Sequence, residues 1–99
     1  MTVMDIFNLA NKFAQEGKGN QAVELWLECT RIEVGFGPAY INLANAYKQV
    51  NNLIAAREAL NSFMNCPITG NTLDIVPKIK QELAELNQKL SPQLQPQPK

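Results

Sequence analysis

Cys29 and Cys66 are the strongest nucleophiles in a chain of 99 residues that contains no histidine. A cysteine becomes reactive when a base or a positive neighbourhood lowers its pKa. No such neighbour stands beside either one, although Cys66 precedes Pro67 in a loop, a position open to exposure. The two lie 37 positions apart, which matches no metal-ligand spacing. Sequence cannot bring their sulfurs within bonding distance, and two packed thiols are the expectation over a disulfide. Glu24 and Glu28 stand one helical turn apart and read as solvated surface. Gly17-Lys18-Gly19 is too short to cradle a phosphate and reads as a hairpin turn. The residues point to no catalytic centre, no metal and no cofactor. What remains is amide chemistry: Asn8, Asn11, Asn42 and Asn45, flanked by Gln15 and Gln49. One carboxamide offers an acceptor and two donors, the complement of a peptide C=O and N–H.

Those amides recur in register. Asn8-Leu9-Ala10-Asn11 returns as Asn42-Leu43-Ala44-Asn45, an offset of 34 residues. At the same offset Phe13 meets Tyr47, Gln15 meets Gln49, Ala22 meets Ala56, Glu24 meets Glu58 and Trp26 meets Leu60. A helical sequence repeating at 34 implies a helix-turn-helix unit. At about 100° per residue, Ile6, Leu9, Ala10 and Phe13 share one face, as do Tyr40, Leu43, Ala44 and Tyr47. Small residues at Ala10, Ala22, Ala44 and Ala56 allow close helix approach, and large neighbours fill the space around them.

The spacing resembles the tetratricopeptide repeat, in which an aromatic is followed at set intervals by Leu-Gly, Tyr, Ala and a bulky residue. The second unit reads Tyr40, Leu43-Ala44, Tyr47, Ala56, Leu60, and the first reads Ile6, Leu9-Ala10, Phe13, Ala22, Trp26. Ala replaces the usual Gly, Ile6 replaces the aromatic, and the proline closing each unit is missing or displaced. The resemblance covers about residues 4–67. It implies an all-α fold: an α-α superhelix of two helix-turn-helix repeats, about 4–37 and 38–67. It also places Cys29 at a repeat position that is usually small and buried.

Punctuation along the chain sets the helix ends. Thr2 and Asp5 have the spacing of a capping box. The stretch 16–20 breaks the first hairpin, Pro38 is placed to open the third helix, and Asn51-Asn52 turns the second hairpin. Helices are expected near 3–16, 20–33, 38–50 and 53–65, then a loop over 66–72. A fifth helix, about 74–90, starts near Asp74 to Pro77, because proline is tolerated in a first turn. Its one apolar stripe, Val76, Ile79, Leu83, Leu86 and Leu90, suits a cap closing the stack of a domain spanning 1–90. The stripe also fits a heptad, over only about two heptads, short of a coiled coil. Residues 91–99, rich in proline and glutamine, read as a disordered tail.

Nine basic and nine acidic side chains leave zero formal net charge and no basic stripe, so neither nucleic acid nor an anionic membrane is expected as a partner. The apolar runs are far too short to span a bilayer. Met1-Thr2-Val3-Met4-Asp5 lacks the basic and apolar regions of a secretion signal, so the expected location is cytoplasmic. In proteins that these units resemble, the first helix of each pair lines a concave groove. That resemblance places Phe7, Asn8, Asn11, Gln15, Ile41, Asn42, Asn45, Lys48 and Gln49 in the groove, with Phe7 and Ile41 as apolar anchors. One variant of the family clamps a C-terminal carboxylate with lysines and asparagines; Phe7 and Ile41 stand where it wants cations, so that function is not carried over. The expected role is a non-catalytic adaptor or chaperone-like module that binds a peptide or helix of another protein. The alternatives are a self-assembling homo-oligomer and a non-catalytic subunit of an enzyme complex.

Overall fold

In the computed structural model, which describes residues 2–67 and 70–94, the chain is all-helical. The elements are α1 (Val3–Gln15), α2 (Gly19–Ile32), α3 (Gly37–Gln49), α4 (Leu53–Met64), α5 (Gly70–Leu73) and α6 (Val76–Leu94). The described residues include no strand. The helices pack in chain order, α1 on α2, α2 on α3 and α3 on α4, and α6 returns onto α4. This is a helical-repeat arrangement, extended to 57 × 30 × 20 Å because each unit touches only its neighbours.

The caps show why the helices begin and end where they do. Asp5 N–H donates to Thr2 Oγ1 at 3.2 Å, and Thr2 N–H donates to Asp5 Oδ2 at 3.0 Å, completing the capping box. Those bonds from Thr2 hold the exposed Asp5 carboxyl below its ordinary pKa. Both hairpins then close in the same way. Gly17 and Asn51, 34 positions apart, take positive φ values of 80° and 61°. After α1, Lys18 N–H donates to Phe13 C=O at 2.8 Å and Gly17 N–H to Ala14 C=O at 3.1 Å. After α3, Asn52 N–H donates to Tyr47 C=O at 2.8 Å and Asn51 N–H to Lys48 C=O at 3.0 Å. Each pair is a Schellman closure, which needs a left-handed residue that glycine or asparagine supplies most readily. The Asn52 side chain also caps α4 by accepting from Ala55 N–H at 3.2 Å.

The core follows the repeat. Ala10, Ala22, Ala44 and Ala56 are at most 1% exposed, and Trp26, Cys29, Leu60 and Phe63 fill the space around them. Cys29 and Phe63 are themselves repeat partners, both buried. Gly37 opens α3 tight against Phe63, where an added Cβ would lie 3.1 Å from the ring. Ala22→Leu or Ala56→Leu is expected to cost about 1–3 kcal/mol, since each adds an isopropyl group to a filled contact. Urea midpoints equal to the parent's would show that the hairpins do not pack through these alanines.

Two expectations change past α4. Within the segment expected as a loop over 66–72, residues 70–73 form the helical turn α5, while 68 and 69 lie outside the described residues. The last helix runs to Leu94 rather than ending near 90. Pro92 lies within the last turns of that helix. Of the expected tail, residues 95–99 lie outside the described residues. The apolar stripe of α6 meets the stack as its spacing implies. Ile79 and Leu86 are buried in the common core, and Val76 and Leu83 pack against it. Lys48 of α3 reaches Glu82 of α6 at 2.7 Å, with both side chains partly buried.

Candidate functional site

A cavity of about 440 Å³ lies where α1, the start of α2 and α3 meet. Its polar lining is Asn11 and Gln15 from α1 and Asn42, Asn45 and Gln49 from α3, all carboxamides. Ala14, Ala46, Gly17 and Gly19 keep it open by their small size, and Trp26 forms its floor. All ten lining residues are uncharged.

A short hydrogen-bond chain organises the floor. Trp26 Nε1 donates to Asn11 Oδ1 at 3.1 Å, and Asn42 Nδ2 donates to the same oxygen at 2.9 Å. The two asparagines belong to different repeats, so this bond ties the units together inside the groove. Among the described residues no buried side-chain nitrogen or oxygen lacks a partner.

The structure brings together five of the nine residues expected in the groove: Asn11, Gln15, Asn42, Asn45 and Gln49. Asn8 is exposed but stands outside this cavity. Phe7 is half-buried and meets Phe36 edge to face, with ring centroids 5.3 Å apart at 78°. Ile41 is half-buried and packs on the core. Neither lines the cavity, because each spends its apolar face on neighbouring helices. Lys48 is engaged by Glu82, a partner brought in by α6 that the repeat pattern cannot foresee.

Apolar surface beside the amides comes from elsewhere. A second cavity, also about 440 Å³, shares Gly19, Ala46 and Gln49 with the first and adds Val23, Tyr47 and Val50. Val50 is 72% exposed, an open apolar contact at the α3–α4 turn. Glu24 also borders this second cavity. Sequence reasoning missed Trp26 because its repeat position marks it as core. The available signal was its indole N–H, which a buried tryptophan must give to some acceptor.

The nucleophiles are sealed away. Cys29 is fully buried, its thiol 3.7 Å from Val3 C=O. Cys66 is buried too, against the open position that its loop suggests; its thiol lies 3.9 Å from Val34 C=O in the α2–α3 link and donates to Ser62 C=O at 3.4 Å. Desolvation pushes both thiols above their ordinary pKa, which favours the unreactive neutral form. Glu28 pairs with Arg31 at 2.8 Å on the surface. Among the described residues there is no cluster able to hold a metal ion, and no helix is long and apolar enough to cross a membrane.

No protein-family model matches the chain, and no curated protein matches it. The functional reading therefore stands on the groove alone.

Proposed function

We propose that this chain is a tetratricopeptide-type module that holds an extended, uncharged peptide segment of another protein and performs no chemistry on it. The observation behind this reading is the neutral cavity in which carboxamides of both repeats converge. Amides pair with peptide groups in both senses, and a lining without charge gives no advantage to an ionised ligand. The buried thiols suit a cytosolic setting, where they stay reduced.

Magnitudes define the ligand further. Each neutral hydrogen bond yields about 0.5–1.5 kcal/mol net. Association itself costs at least about 4 kcal/mol. Amides alone are therefore insufficient, and an apolar side chain of the ligand must seat against Val23, Tyr47 and Val50, at about 1.5–3 kcal/mol when fully buried. The sum suits an affinity near micromolar, about −8 kcal/mol.

The test presents the full chain with a pool of acetylated, amidated octapeptides free of Asp, Glu, Lys and Arg, and identifies the bound members by mass spectrometry. Ala14 is exposed on the groove wall, so Ala14→Trp blocks the cavity without entering the core. Binding is expected to vanish with Ala14→Trp and to persist with Arg57→Ala on α4. The reverse pattern would move the function to the other surface. A mass by light scattering that doubles with concentration, and returns to the monomer value on Ala14→Trp, would instead assign the groove to a second copy of the chain.

A further inference from the structure

Trp26 is only 5% exposed, and an indole nitrogen can donate but never accept. It therefore settles which atom of Asn11 faces it: the oxygen, at 3.1 Å. Asn42 approaches that same oxygen to 2.9 Å and must meet it with its own nitrogen. Both acceptor positions of Asn11 Oδ1 are then in use, and both amides are locked in one orientation. These bonds leave over Asn11 Nδ2, a donor, and Asn42 Oδ1, an acceptor, on two residues that line the cavity. An asparagine pair without the indole could flip together and show either sense.

The geometry points to Trp26 as a positioning residue that gives the groove a fixed hydrogen-bond polarity, so that it takes an internal peptide unit in one direction only. The inference rests on the peptide-groove reading above and deepens it. The ligand carbonyl meets Asn11 Nδ2, and the ligand N–H meets Asn42 Oδ1. In an extended strand the N–H and C=O of one residue point to the same side, with the N–H nearer the N-terminus. The ligand then runs with its N-terminal end toward α3 and its C-terminal end toward α1. A free C-terminal carboxylate is excluded, because it brings two acceptors against Asn42 Oδ1 in a lining that holds no cation.

The experiment uses peptides recovered from the neutral octapeptide pool, with the full chain and three variants. Asn11→Asp keeps an oxygen for Trp26 and Asn42 but turns the outward donor into a charged acceptor. Its melting temperature is expected to match the parent's, while affinity for the recovered peptides falls about tenfold or more. The same variant should gain arginine-containing octapeptides that the parent ignores, a change of preference that a purely structural role for the pair would not produce. A nitroxide on the ligand C-terminus should broaden the amide signals of α1 more than those of α3, and Trp26→Phe should remove that bias. If Ala14→Trp abolishes binding but Asn11→Asp binds normally, or the nitroxide shows no directional bias in the parent, the polarity lock is wrong and the groove stands. If nothing is recovered from the pool, or binding survives Ala14→Trp, the groove reading falls and the lock with it.

Discussion

Ending the chain after Pro67 abolishes cooperative unfolding. The cut removes α5 and α6, and with them Ile79 and Leu86, which are 3% and 4% exposed in the common core. Two such side chains contribute about 1.5–3 kcal/mol each on full burial. Leu83 and Val76 add partial burial, and the cut also opens the face of α4 that they cover. Lys48 loses Glu82. The total approaches the whole stability of a domain this size, about 5–15 kcal/mol. The expected result is a broad, non-cooperative thermal trace by circular dichroism, with light scattering rising as the apolar face of α4 associates. Ile79→Asp with Leu86→Asp tests the same contact at full length and should give the same loss. A truncated chain that melts in one transition at the parental temperature would show that α6 is not what closes the stack.

The repeat period made the fold legible, because a 34-residue offset fixes helix length, hairpin position and core residues at once. Ala10, Ala22, Ala44 and Ala56 are buried as their spacing required. Gly17 and Asn51 show the same economy: one turn geometry, filled in each repeat by a residue that tolerates positive φ. The segment after α4 was less legible because it falls outside the period, and α5 is a single turn, too short to leave a periodic pattern. At the site, periodicity ranked residues by face, and a face is wider than a groove. Phe7 and Ile41 sit on the shoulder of that face, where Phe36 and the core absorb them. Lys48 stands outside the cavity lining for another reason: it pairs with Glu82, from a helix outside the repeat. Long-range pairing of this kind leaves no trace in local spacing.

Trp26→Ala destabilises the fold by about 3–5 kcal/mol, the usual cost of deleting a buried tryptophan. The neighbouring substitutions then separate packing from hydrogen bonding. Asn11→Ala removes the indole's acceptor and leaves a buried N–H unpaired, at about 1–3 kcal/mol. Trp26→Phe removes the same bond from the other side and leaves no orphan, because the Asn11–Asn42 hydrogen bond can form in either sense. Its cost is the lost ring volume, and it should fall below that of Trp26→Ala, as phenylalanine fills most of the space. Asn11→Asp retains both internal bonds and should cost least. The expected order of loss in urea midpoint is therefore Trp26→Ala, then Asn11→Ala, with Asn11→Asp near the parent. This order decides how binding data must be read: a weakened ligand with Asn11→Ala would mix a loosened floor with a lost contact, whereas Asn11→Asp changes only the atom that faces outward. If Asn11→Ala is as stable as the parent, the indole does not depend on Asn11, and the bond that orients the groove is not part of what holds the two repeats together.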